Sequence, residues 1–434
     1  MTPCGLGIDF GTSGVRAVIV DEQGHPLAQG RAPGAAIDSP RPGWRQQNPG
    51  DWLDGLREAI AALPAALRQR VTDIAADGTS GALLLSDANG RPRTPALLYN
   101  DARATRQAER IRSIAPSNSG AHGASASLAK WLWLLDEDPE RHHYYPLHQA
   151  DWITGWLTGR YPVSDHNNAL KLGFDPVALS FPDWLDAVGA PRNRTPDILT
   201  PGAAIAPLRP DAARTLDLNP AATVHAGTTD SIAAFIATGA STAGQAVTSL
   251  GSTLVVKIIA DAPLYAPEYG VYSHRLGNRW LVGGASNSGG AALRQFFTDN
   301  EIRRLSKQID PEQDSGLDYY PLPAAGERFP IADPALEPRL EPMLQNREPA
   351  RFLHGLFEGI ARIESLAYDT LHRLGAPSPS LVLTAGGGAV NPVWRRIRER
   401  LLPCPVVEAR HSEAAHGVAL LAVETAPEQP HASL

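Results

Sequence analysis

Only two cysteines, Cys4 and Cys404, occur in 434 residues, and they sit at opposite ends of the chain. That count excludes a disulfide framework and a zinc-ligand cluster, and it suits a reducing compartment. Positive charge is also short: the formal net charge is -7, so a nucleic-acid partner has no electrostatic support. No apolar run approaches the ~20 residues of a bilayer crossing, so no membrane partner is expected. The first residues lack a charged start followed by an apolar stretch, and a cytoplasmic location is expected. The oligomeric state stays open between monomer and homodimer.

Two familiar nucleotide motifs are missing. No G-x-x-x-x-G-K-[ST] is present, which excludes a P-loop. Gly5, Gly7 and Gly11 run into Val15-Arg16-Ala17-Val18-Ile19-Val20, which is a strand by pattern. A dinucleotide fingerprint needs its glycines to open a helix, so that reading fails.

The length suggests two domains, and 43% hydrophobic residues suffice for sizeable cores. Gly5 to Gly30 reads as a three-stranded meander, Asp51 to Leu67 as an apolar-periodic helix, and Val71 to Ala76 as a strand. The second half repeats the hairpin: Gln245 to Leu250, a Gly251-Ser252-Thr253 turn, then Leu254 to Ile259. Two hairpins of one design predict two related α/β domains facing each other across a cleft. The predicted domains are 1–222 and 223–424, with proline-dotted 196–222 as the crossover. Segment 321–349 reads as a surface excursion and 425–434 as a disordered tail.

Backbone N–H groups and hydroxyls of Gly11-Thr12-Ser13 and Gly251-Ser252-Thr253 are placed to hold phosphate oxygens, with Arg16 as a charged donor. A single such hairpin reads equally as an ordinary turn. Asp9 at the strand end would face Mg²⁺ through water, because this ion keeps several waters and uses few carboxylates. Asp230, before the apolar run Ile232 to Ala237, is either a helix N-cap or a general base for phosphoryl transfer. Gly386-Gly387-Gly388 precedes a helix opened by Asn391-Pro392, with Trp394 on the same face as Asn391. Gly387, Gly388, Asn391 and Trp394 form either an adenine seat or a glycine-rich turn over a core tryptophan. His142-His143 reads as a helix end, Lys130-Trp131-Leu132-Trp133 as packing, and Asn167-Asn168 as turn chemistry.

Together these segments resemble the FGGY family of carbohydrate kinases over roughly residues 5–424. Gly7-Ile8-Asp9-Phe10-Gly11-Thr12-Ser13-Gly14-Val15-Arg16 is similar to its first phosphate motif, and Ser125 to Glu137 to its N-terminal signature. Gly227-Thr228-Thr229-Asp230 matches its catalytic aspartate, Thr248 to Thr253 its second phosphate motif, and Ala385 to Asn391 its adenosine motif. The resemblance implies an actin-like (ribonuclease H-like) fold, with two related domains flanking a central ATP and sugar cleft, and Mg²⁺ as cofactor. It implies Asp230 as base, with Asp9 and Asp230 near the metal, and both hairpins on the phosphates of ATP. The Asp77-Gly78-Thr79-Ser80 loop, where xylulose kinases of the usual type carry Gln-Met-His-Gly, resembles a short cyanobacterial and plant branch acting on D-ribulose. His148 to Trp152 and Tyr272 to Leu276 resemble that branch too. The expected reaction is ATP-dependent phosphorylation of D-ribulose, with Asp9, Ser80, Asp230 and Ser231 holding the small sugar. D-xylulose kinase is the alternative. An actin-like sugar sensor that binds ATP without turnover is an alternative of another class.

Overall fold

A computed structural model describes residues 3–423, so the tail expected to be disordered, 425–434, lies outside the described residues. The β-branched run after the first glycine turn is a strand, as its pattern predicts. Cys4–Gly11 (β1), Gly14–Val20 (β2) and Pro26–Pro33 (β3) form an antiparallel meander. β1 is buried almost throughout, since helices cover both of its faces, and so it reads as an apolar run rather than an alternation. Gly7 makes the close approach possible, because a Cβ there would lie 2.1 Å from the Ala415 carbonyl oxygen.

The single helix expected over Asp51 to Leu67 is two, Pro49–Ala61 and Ala65–Arg68. Pro64 stands between them and lacks the N–H that a continuous helix requires. The first of these helices starts on Asn48, whose Oδ1 accepts the Gly50 N–H at 3.2 Å. Its Trp52, Leu56, Ala59 and Ile60 recur at helical spacing and bury against β1 and β2.

Val71–Gly78 (β4) pairs parallel with β1, and Ala204–Pro207 (β5), Thr223–His225 (β6) and Thr228–Thr229 (β7) complete the first sheet. Its order is β5-β6-β4-β1-β2-β3, with β7 also on β4. The second sheet holds Gln245–Leu250 (β8), Leu254–Ala260 (β9), Tyr272–Leu276 (β10), Arg279–Ser286 (β11), Leu381–Ala385 (β12) and Val406–Glu408 (β13). Its order is β10-β11-β9-β8-β12-β13. The plan repeats: β3-β2-β1-β4-β6 and β11-β9-β8-β12-β13 each join an antiparallel meander to two parallel strands. The duplication expected from two hairpins therefore extends to whole sheets.

The chain divides into two compact units, one of Met1–Ala237 with Glu413–Leu434 and one of Thr238–Ser412. This differs from a break at 222/223. Segment 196–222 is no crossover: Asp197–Leu199 pairs with Val163–Asp165, β5 edges the first sheet, and Pro210–Leu216 is a helix. Its prolines fit these elements, Pro207 at the end of an edge strand and Pro210 at a first helical position. The apolar Ala414–Val423 helix returns to the first unit and packs on β1, β2 and β4.

The second unit centres on Pro349–Arg373, a helix of 25 residues that buries Phe352, Leu356, Phe357 and Ile360. Segment 321–349 is less superficial than expected. Phe329 is 1% exposed, and buried Glu327 accepts from Ser286 Oγ at 2.6 Å and from the Asn287 N–H at 2.7 Å. Proline content misleads here because these contacts are made by side chains, without regular backbone pairing. Among the described residues, no helix is long and apolar enough to cross a membrane.

Candidate active site

In the first unit, three parallel strands end side by side, and each delivers an acid. Asp9 near the end of β1 stands opposite Asp77 of β4, and Thr228 of β7 stands opposite Asp77 in turn. Asp230 follows β7 at once and opens the Asp230–Ala237 helix. The carboxyl edge of a parallel sheet is where open α/β folds place their ligands. Asp9 is 3% exposed and Asp77 fully buried. The Asp9 and Asp77 carboxyls hydrogen-bond each other, and beyond that bond Asp9 Oδ1 and the Asp77 oxygens have no partner among the described residues.

Burial pushes the Asp9 carboxyl up, a hydrogen bond with Asp77 opposes this, the Asp230 charge adds to the rise, and the Arg16 guanidinium pulls against it. Burial drives Asp77 further up, with the Asp9 and Asp230 charges adding to it. Carboxyls this close in low dielectric do not all ionise, and Asp77 is the one driven toward the neutral form. Arg16, expected on a phosphate, lies across the β1–β2 ladder with Nη1 3.3 Å from Asp9 Oδ2 and Nε 3.5 Å from Glu413 Oε2. Its place in this structure is that of counter-ion to Asp9. Thr12 and Ser13 are exposed at the turn beside it, next to Gly11.

The Thr79-Ser80-Gly81 loop after β4 is held through its backbone. Gln149 Oε1 accepts from the Thr79 N–H and hydroxyl at 3.2 and 3.1 Å. Lys171 Nζ donates to the Ser80 carbonyl oxygen at 3.3 Å, and Lys130 Nζ to those of Gly81 and Leu98 at 2.7 and 2.6 Å. The Ser80 hydroxyl is not consumed by this bracing. Lys130 is thus a packing residue, as expected, and burial pulls its amine down to about 7. Ser231 is exposed at the helix start, where its N–H meets Asp230 Oδ1 at 2.7 Å.

Several polar residues here escaped sequence analysis. Asn167 and Asn168 are buried in a helical turn capped by Asp165, and Asn167 Nδ2 donates to Thr228 Oγ1 at 3.0 Å. Their Oδ1 atoms and the Thr229 hydroxyl lack partners among the described residues. In the sequence Asp77 stands out only as part of its loop. Its signal is an acid that ends an apolar strand beside another such strand. Ser127, His148 and Asp151 form a relay, with His148 ring nitrogens 2.8 Å from Ser127 Oγ and Asp151 Oδ2. All three are at most 4% exposed, and the relay joins two helices inside the protein.

In the second unit the glycine turns converge at the ends of β8 and β12. The Gly388 N–H donates to the Leu250 carbonyl at 3.0 Å, and the Gly290 N–H to that of Gly251 at 2.9 Å. A cavity of about 680 Å³, lined by Leu250, Gly251, Ile302, Gly387, Asn391 and Trp394 among others, opens there. That volume suits a small organic ligand. Of the second phosphate turn, Gly251 lines this cavity, Ser252 is exposed and Thr253 half-buried.

Trp394 lines this cavity and is at the same time a core residue. It stacks on Phe357 with ring centroids 4.8 Å apart and planes 8° apart, and it is only 3% exposed. Gly388 leaves the space its ring fills, since a Cβ there would lie 2.7 Å from Trp394 Cζ3. Asn391 caps the Pro392–Leu401 helix through the N–H groups of Val393 and Trp394, both at 3.1 Å, and donates to Ser306 Oγ at 2.9 Å. Its amide is therefore committed to the protein itself.

Among the described residues no group of three or more His, Cys, Asp or Glu is placed to hold a metal ion. Mg²⁺ needs no such group, since one or two carboxylates with substrate phosphates and water suffice. Asp9, held beside Arg16, and Asp230 at the end of β7 are carboxylates that fit such an ion.

Comparison with known proteins agrees with this layout. The model of the FGGY family of carbohydrate kinases, N-terminal domain, matches residues 4–237, and that of the C-terminal domain matches 246–426. Xylulose kinase of Escherichia coli (strain K12) is 26% identical over 411 residues, covering 90% of this chain and 83% of the relative. The crystal structure of a xylulose kinase from Brucella ovis superposes with a TM-score of 0.85 at 25% identity, over 97% of this chain and 90% of its own. Plasmodium falciparum glycerol kinase with ADP shares the fold, with a TM-score of 0.84 at 17% identity over 97% of this chain and 89% of its own. With both domain models matched across two α/β units of one plan, the chain belongs to the FGGY family of carbohydrate kinases and is a sugar kinase of actin-like fold.

Proposed function

We propose that this kinase transfers the γ-phosphoryl group of ATP to D-ribulose, giving D-ribulose 5-phosphate and ADP. The carrying observation is the acidic edge of the first unit, where Asp9, Asp77 and Asp230 end adjacent parallel strands beside the Ser80 loop. Asp230 accepts the proton of the C5 hydroxyl as its oxygen attacks the γ-phosphorus in line, and the bond to the β,γ-bridging oxygen breaks. Ser80, Ser231 and Asp9 hold the remaining hydroxyls. In the second unit, the cavity beside Gly387, Gly388 and Trp394 takes adenosine, and backbone N–H groups of the glycine turns meet phosphate oxygens. Asp9 and Asp230 would hold Mg²⁺, which when bound offsets charge on the transferring phosphoryl group.

Preference for ribulose rests on the Asp77-Gly78-Thr79-Ser80 loop, which offers a small hydroxyl where a bulkier pattern suits xylulose. D-Xylulose is the second reading, supported by the names of the relatives. Coupled ADP detection with D-ribulose, L-ribulose, D-xylulose, glycerol and ribitol tests both. D-Ribulose is expected to give the highest kcat/KM. A higher value for D-xylulose puts the second reading first.

A further inference from the structure

A half-buried cation stands beside the sugar loop, and the reaction as described makes no use of it. Lys171 sits in a short 3₁₀ turn between Leu170 and Leu172, which are 3% and 0% exposed. Those leucines anchor the turn in the core, so the lysine between them is carried inward. Its stem runs along Gly81, where a Cβ would lie 3.3 Å from Lys171 Cδ and 3.6 Å from Nζ. Gly81 also has φ +89, a conformation that glycine adopts without strain. The lysine and the glycine thus fit each other.

The ammonium is under-used by the protein. It has three donors. One of them meets the Ser80 carbonyl oxygen at 3.3 Å, a long hydrogen bond. Among the described residues it forms no salt bridge. Burial lowers its pKa and the Asp230 charge opposes the shift. Lys130, which braces the same loop, provides the contrast. Lys130 is fully buried and meets two carbonyls at 2.7 and 2.6 Å, the arrangement of a purely internal brace.

We propose that Lys171 is a sugar-contacting residue, whose ammonium donates to an oxygen of the ketose held between Ser80 and Asp230. The inference rests on the sugar site proposed above and adds a cationic donor to a site whose other side chains are acids and hydroxyls. Such a donor selects strongly, because a sugar lacking the matching oxygen leaves the ammonium desolvated and unpaired.

The test uses whichever sugar of the panel the full-length enzyme phosphorylates best. Lys171→Met keeps the stem against Gly81 and removes the donors. Its sugar KM is expected to rise about 10- to 100-fold, while the ATP KM stays within about twofold. Monodeoxy analogues separate contact from bracing. One hydroxyl or carbonyl oxygen whose removal costs the unmodified enzyme about tenfold in kcat/KM should cost Lys171→Met less than about twofold. Lys171→Arg, which keeps the charge, should recover part of the lost affinity and guards against a folding defect in the methionine variant. An unchanged sugar KM in Lys171→Met overturns the proposal, as does an equal penalty for every deoxy analogue in both enzymes, which marks a brace. A best substrate other than D-ribulose overturns the ribulose assignment alone, and Lys171 is then judged on that sugar. Turnover of no sugar overturns the site reading and this inference together.

Discussion

One buried acidic centre in each unit is built in the opposite way from the other. In the second unit, Glu364 and Arg398 are 0% and 1% exposed and joined by two hydrogen bonds of 2.6 Å. Thr384 accepts from Arg398 Nη1 at 2.7 Å, and the Thr248 hydroxyl donates to Glu364 and lies 2.8 Å from Tyr368 Oη. Thr248 and Thr384 face each other across the β8–β12 ladder, so the network ties the strands that end in the two glycine turns. In the first unit, the Asp9–Asp77 pair is as buried, and beyond the bond between the two carboxyls it leaves Asp9 Oδ1 and the Asp77 oxygens without partners among the described residues. A fully satisfied buried network rigidifies, whereas an unsatisfied one is kept against its desolvation cost. Under the proposed function, the difference separates a scaffold that presents backbone to the nucleotide from an edge that the sugar and metal complete.

The sharpest way to break that contrast is Asp230→Asn. The volume is conserved and the base is lost, so kcat should fall by about 10²- to 10⁴-fold while calorimetry still detects ATP and sugar. Turnover within about threefold of the unmodified enzyme removes Asp230 from the chemistry.

On the other side, Arg398→Met should act on stability rather than on catalysis. It strands Glu364 in the core, at a cost of about 3–5 kcal/mol in denaturant unfolding. Adding Glu364→Leu should restore much of that loss, because the pair is then replaced by packing. If Arg398→Met leaves stability unchanged and alters turnover alone, the network is not the scaffold described here.

Ser80→Ala is the finer test of the ligand side. Removing a hydroxyl that meets a sugar oxygen should cost about 1–3 kcal/mol, or roughly 5- to 150-fold in kcat/KM for D-ribulose. The preference over D-xylulose should shrink with it. Equal losses for both ketoses would place Ser80 away from the hydroxyl at C3.

The most gradual effect concerns Lys130, whose amine is pulled down to about 7 in the folded state. The unfolded lysine titrates near 10.4. Between those values the unfolded chain binds more protons, so this group makes stability rise with pH from about 7 to about 10. The free-energy gap between the unmodified protein and Lys130→Met should therefore change by about 1 kcal/mol per pH unit in that window, in favour of the former as pH rises. A pH-independent gap would show that Lys130 does not titrate there.

Much of the scaffold was legible because it is local. The hairpins, the strand leading to Asp77 and the Asn391-Pro392 helix start follow from β-branched runs, turn glycines and capping chemistry over a few residues. The roles of side chains between elements were harder to read. Asn167 and Asn168 looked like turn residues, since nothing in their neighbours tells that Thr228, far along the chain, meets Asn167. Arg16 looked free to reach a phosphate, since its pairing with Asp9 depends on strand register.

By itself the sequence determined the duplicated hairpins, the absence of a P-loop and the positions of Asp9, Asp230 and the glycine turns, all properties of short segments. Tertiary structure alone decided that the Ala414–Val423 helix closes the first unit, that Asp77 joins the acidic edge, and that Trp394 rests on Phe357. The reason is the range of the forces involved. Backbone geometry and capping act between neighbours in the chain, whereas burial, register and the pairing of charges act between residues that only folding brings together.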